Sequence, residues 1–163
     1  MLTPREIVPR QRTDMRLLLT KELGRLAKWL RILGYDAAYF KEHNSGSLII
    51  QALREERIIL TRNQHLPQSK GIRIIFIQNE RIKEQIAETM SVLNIKPQPE
   101  MMFTRCIICN EELVDIEKEK IKDKVPEYVY KTQEGFITCP KCNRIYWQGT
   151  HWGNVTKTLK EIN

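Results

Sequence analysis

Two cysteine pairs constrain the fold of this chain more than any other feature of its sequence. Cys106-Ile107-Ile108-Cys109 and Cys139-Pro140-Lys141-Cys142 are CxxC knuckles separated by 29 residues, and they use all four cysteines of the chain. A two-residue gap lets both thiolates of a knuckle converge on one ion, and two knuckles complete a tetrahedral Zn²⁺ site. Four thiolates leave no open coordination position, so the metal is read as a staple for a segment too small to fold alone, not as a catalyst. No apolar run approaches the roughly 20 residues that span a bilayer, and the leading MLTPREIVPRQR has no apolar signal core. The expected location is therefore cytoplasmic, with no membrane partner, where thiols stay reduced and bind metal instead of forming disulfides.

Upstream of the cysteines the texture is different. With 163 residues, 41% of them hydrophobic, the chain can bury one ordinary core, or one core plus a small stapled module. Residues 1–13 read as a flexible basic arm carrying Arg5, Arg10 and Arg12. Residues 14–97 alternate strand-like and helix-like patterns: a strand at 15–19, a helix over 21–33 ended by Gly34, a strand at 37–40, a helix over 47–56 capped by Ser45 or Ser47, strands at 57–61 and 71–77, and a helix over 79–93. That rhythm implies an α/β domain with a parallel sheet flanked by helices. Residues 98–163 form the zinc ribbon, with a core separate from that of the first domain. The run Glu117–Lys124 alternates in sign and reads as a solvated face between ribbon strands.

The formal charge is +7, and it is unevenly placed. Residues 1–100 carry 17 basic and 11 acidic side chains, a balance of +6, whereas residues 101–163 carry 10 and 9. A positive field confined to one half suits an anionic partner. Lys21, Arg25 and Lys28 lie at i, i+4 and i+7 on the first helix, opposite Leu23, Leu26, Leu30 and Leu33, with Arg31 nearby. This stripe stands beside the strand end where ligands gather in open α/β sheets. Arg62, just past the third strand, adds a donor suited to phosphate.

The stretches GRLAKWLRILGYDAAYF (Gly24–Phe40), RIILTRNQHL (Arg57–Leu66), RCIICNEELVDI (Arg105–Ile116), VPEYVY (Val125–Tyr130) and CPKCNRIYWQGTHW (Cys139–Trp152) together resemble the Mut7-C family. The resemblance implies a PIN-like RNase domain followed by a zinc ribbon. Such nucleases cluster acidic side chains at the carboxyl ends of parallel strands, where Mg²⁺ or Mn²⁺ activates water and absorbs phosphate charge. At the places where the family pattern has its acids, this chain has Thr20, Ser45, Gly46 and Asn63. Divalent ions depend on carboxylate charge for affinity, so the site is expected to be degenerate. Asp14, Glu22, Asp36 and Glu42 remain nearby and supply the alternative of a relocated Mg²⁺/Mn²⁺ site; for Asp36 a structural capping role is preferred.

His65 reads as a loop histidine, since no activated metal is expected beside it. His151, Tyr146, Trp147 and Trp152 read as ribbon packing, with stacking on unpaired bases as the other use of the aromatics. Three functional readings stand. The preferred one is a catalytically inactive binder of structured RNA, ribosomal or from another ribonucleoprotein. The others are a metal-dependent ribonuclease with relocated acids and a protein-interaction adaptor.

Overall fold

The computed structural model describes residues 14–162, so the expected basic arm at 1–13 lies outside the described residues. Four parallel strands, β1 (Arg16–Leu19), β2 (Asp36–Tyr39), β3 (Ile58–Thr61) and β4 (Ile74–Phe76), form one sheet in the order β2-β1-β3-β4. The central strands are continuous apolar runs because both faces are covered. Leu17, Leu19, Leu60 and Ile75 point into one core, while Leu18 and Ile59 point into a second with Leu48, Ala52, Phe40 and Leu66. This parity follows from the two-residue period of a strand. Helix α1 (Gly24–Ile32), preceded by a 3₁₀ turn at Lys21–Leu23, and helix α3 (Ile82–Leu93) cover the first face; α2 (Ser45–Glu55) contributes Leu48 and Ala52 to the second. The α2 cap is Asn44, whose Oδ1 accepts the Ser47 amide at 3.1 Å, in place of the expected serine.

The end of α1 shows why glycine occupies position 34. The Tyr35 amide donates to Leu30 O at 2.9 Å and the Gly34 amide to Arg31 O at 3.0 Å, the paired bonds of a Schellman turn, with Gly34 at φ +93°. The chain returns here much later: the Phe103 amide donates to Ile32 O at 2.8 Å. A Cβ on residue 34 would lie 2.2 Å from Met101 O. Gly34 thus serves both the helix end and the approach of the segment leading to the first cysteine knuckle.

The second sheet is antiparallel, with β5 (Val114–Asp115), β6 (Phe136–Thr138) and β7 (Ile145–Trp147) in sequence order. Within the charged run between β5 and β6, Lys118–Ile121 forms a 3₁₀ turn whose Ile121 is fully buried, so that run is solvated on one side only. A short helix α4 (Glu127–Thr132) precedes β6. The last element, helix α5 (Thr150–Ile162), corrects the expectation of two separate cores. Val155 and Leu159 sit in the same cluster as Leu17, Leu26 and Ile86, and Lys83 on α3 pairs with Glu161 on α5. The ribbon is therefore sewn back onto the first sheet through its own C-terminal helix.

Gly34→Ala should cost more than about 2 kcal/mol, because it combines a disfavoured φ with a backbone clash that no rotamer relieves. Chemical denaturation of the zinc-loaded protein checks this; a loss below about 0.5 kcal/mol would mean that the Met101 segment does not approach Gly34 as described.

Candidate functional site

At the carboxyl ends of the parallel strands the chain leaves a cleft of about 350 Å³. It brings together Thr20, Ser45 and Asn63, three of the four neutral residues identified from the sequence, with Lys21, Glu22 and Glu42 beside them. Gly46 follows in the first turn of α2. The position is the ligand-binding end of an open α/β sheet.

Glu22 organises this cleft. One carboxylate oxygen, Oε1, accepts the Thr20 hydroxyl at 2.5 Å and the Arg62 amide at 2.8 Å, and lies 3.1 Å from the Thr61 hydroxyl. Burial acts to raise its pKa, but the hydrogen bonds from Thr20, the Arg62 amide and Thr61 outweigh it and leave the pKa lowered. The carboxylate is therefore charged at neutral pH, with one oxygen committed to the protein. Its position in the first turn after β1 was the sequence signal for this role. Asn63 is similarly committed: its Oδ1 accepts the His65 amide at 3.0 Å in an Asx turn. The His65 side chain is exposed on that loop, and His43 Nε2 lies 3.2 Å from Lys21 Nζ.

The other residual acids lie elsewhere. Asp14 precedes β1 at the end remote from Thr20 and is exposed. Asp36 opens β2, opposite Arg16. Its carboxylate accepts Arg57 Nη1 and Asn110 Nδ2, each at 2.7 Å. Burial acts to raise its pKa, and those hydrogen bonds reverse the effect and lower it. Asp36 is thus a strand-end ion pair instead of the expected cap, and it is not a member of the cleft. Only Glu22 and Glu42 of the remaining acids line it.

Lys21, Arg25 and Lys28 are exposed as expected, with Lys21 on the cleft wall. Arg31 is a correction: it is 6% exposed, and its guanidinium donates to Ala37 O at 2.9 Å, Ile107 O at 2.8 Å and Ile108 O at 3.0 Å. It clamps the cysteine knuckle to α1 and β2 and cannot reach a ligand in solution. Arg62 is partly buried; Nη2 faces Glu80 at 3.3 Å and Nε is buried with no hydrogen-bond partner.

The four cysteine sulfurs converge within 4.8 Å of one another, and among the described residues they form the one cluster of three or more His, Cys, Asp or Glu ligand atoms this tight. The Cys106 and Cys142 sulfurs are 3.8 Å apart, which matches the roughly 3.8 Å edge of a tetrahedron with Zn–S bonds of about 2.3 Å. Tight αL turns hold the geometry: the Asn110 amide donates to Cys106 O and the Asn143 amide to Cys139 O, both at 2.9 Å, with positive φ at both asparagines. Tyr146 Oη lies 3.1 Å from Cys106 Sγ and donates to it once that sulfur is a thiolate. Burial pushes the Cys106 thiol up, but the bonds from Tyr146 and from backbone amides bring it down to about 7. Four such sulfurs suit one metal ion of the zinc class.

This is an α/β protein whose parallel sheet carries a cleft at its carboxyl edge, fused to a cysteine-quartet ribbon. A Mut7-C RNase domain model matches residues 15–159; the chain belongs to that family. No curated protein and no solved structure matched the chain. Among the described residues no helix is long and apolar enough to cross a membrane.

Tyr146→Phe should lower metal affinity about tenfold, since it removes one hydrogen bond to a ligand sulfur and leaves the ring in place. Competition with a chromophoric chelator reads this directly. Unchanged affinity would show that the hydroxyl plays no part in holding the Cys106 thiolate.

Proposed function

We propose that this protein binds structured RNA through a nuclease-derived cleft that no longer cleaves it, and that the cysteine quartet holds a structural Zn²⁺. The observation that carries the reading is the content of the cleft. Thr20, Ser45 and Asn63, the positions at which the resemblance to the family implies acids, line it, and Glu22 spends an oxygen on Thr20, Thr61 and the Arg62 amide. A divalent ion that works on phosphate needs several carboxylates, because its affinity comes from their charge. Glu22 and Glu42 are the two carboxylates that line the cleft, fewer than that chemistry asks for.

What remains suits recognition. Lys21 in the 3₁₀ turn and Arg25 and Lys28 on α1 are exposed cations, and Arg62 stands partly exposed just past β3. Phosphate oxygens satisfy such donors with charge-assisted hydrogen bonds. A ribosomal or other ribonucleoprotein RNA, in the cytoplasm, is the partner class this surface fits.

A structured RNA incubated with the zinc-loaded protein and Mn²⁺ should stay intact. Lys21→Ala, Arg25→Ala and Lys28→Ala together should weaken binding to all RNAs and flatten the salt dependence by about one unit of slope per lost phosphate contact. Filter binding at several salt concentrations measures both effects. Cleavage that disappears in Glu22→Gln or Glu42→Gln would instead establish a relocated catalytic site; unaltered affinity in the triple variant would reduce the stripe to a solvated face.

A further inference from the structure

A second cavity, of about 610 Å³, opens between the ribbon and α1, within the roughly 300–1,000 Å³ typical of ligand sites. Three indoles from three elements reach it: Trp29 of α1, Trp147 of β7 and Trp152 of α5. Trp29 also packs against the main core, Trp147 and Trp152 line the open space, and all three are only half-buried. Trp152 is held in place by stacking on Phe103, with centroids 4.0 Å apart and planes 10° from parallel.

The polar groups of the wall narrow the occupant. Gln148 and Asn154 are exposed at the cavity, and neither side-chain amide has a hydrogen-bond partner among the described residues. Each offers a donor and an acceptor side by side, the pattern that pairs with a base edge. Two arginines line the cavity and no carboxylate does. Arg105 is spent on Asn110 O at 2.7 Å and on Glu112, whereas Arg144 is exposed and makes no ion pair among the described residues. Trp29 follows Arg25 by four residues on α1, so the helix face that carries the basic stripe continues to the cavity mouth.

We infer that this cavity takes an unpaired base of the bound RNA, stacked on the Trp147 and Trp152 indoles, read by Gln148 and Asn154, with Arg144 on its phosphate. The inference rests on the RNA-binding reading above and adds to it a preference for single-stranded nucleotides. Stacking tolerates any base, so selectivity among bases falls to the two amides.

The test titrates the zinc-loaded full chain by anisotropy against two labelled RNAs: a hairpin with a single-stranded loop, and a blunt duplex of the same stem. Wild type should favour the hairpin. Trp147→Leu should weaken hairpin binding roughly tenfold, leave the duplex unchanged and keep the salt slope. Gln148→Ala with Asn154→Ala, both at exposed positions that leave folding intact, should narrow the hairpin preference and alter its dependence on loop sequence. Wild type that binds neither RNA would defeat the RNA-binding reading itself. Equal binding of both RNAs, insensitive to Trp147→Leu and to the amide pair, would leave RNA binding standing and overturn the inference.

Discussion

The Arg31 guanidinium, buried between α1 and the first cysteine knuckle, is the contact on which the rest of the architecture depends. Burying a cation is costly unless charge and hydrogen bonds compensate it. Three carbonyls do so directly, those of Ala37, Ile107 and Ile108. Burial draws the Arg31 pKa down, while the charges of Cys106, Cys109 and Asp36 act in the opposite direction. Four thiolates on one divalent ion would carry net negative charge, which the buried arginine would favour. Asn110 continues the link: its side chain accepts the Ala37 amide at 3.0 Å and donates to Asp36 at 2.7 Å, and Asp36 pairs with Arg57. The ribbon is thereby registered against the remote edge of the parallel sheet, opposite the cleft.

That placement separates two regions: the cysteine quartet lies at one end of the sheet, and the cleft at the carboxyl end of the strands. Within the cleft Glu22 is the group on which the strand ends converge. Two threonine hydroxyls and a backbone amide converge on one carboxylate oxygen, which ties the end of β1 to the end of β3. Buried polar groups demand partners, and here the protein supplies them internally. Trp29 and Ile32 of α1 line the aromatic cavity one turn beyond Arg25 and Lys28, so one helix serves both surfaces.

Much of this was legible in the sequence because local pattern and tertiary role agree. The strands, α1, α2 and α3 follow apolar periodicity, Gly34 signals the end of α1, and the CxxC spacing locates the sulfur cluster. The misreadings occur where long-range contacts decide. Arg31 looks like a member of the basic stripe, and only carbonyls 76 and 77 residues away bury it. Asp36 looks like a turn residue, yet Arg57 and Asn110 draw it into an ion pair. Helix α5 has an apolar stripe at Trp152, Val155, Leu159 and Ile162, but reading residues 98–163 as a ribbon with its own core passes over it. Glu22 was visible as a first-turn acid; that it would take over the cleft depended on Thr61, which comes from another strand.

The claim that the cleft has exchanged a divalent ion for an internal hydrogen-bond network is tested most directly by titrating Mn²⁺ into the zinc-loaded protein and following the free-ion signal by electron paramagnetic resonance. The account predicts that the signal of free Mn²⁺ tracks the amount added, up to millimolar concentrations, with wild type and Glu22→Gln alike. One or two ions withdrawn per chain by wild type and released in Glu22→Gln would contradict it, and would return the cleft to metal-dependent chemistry.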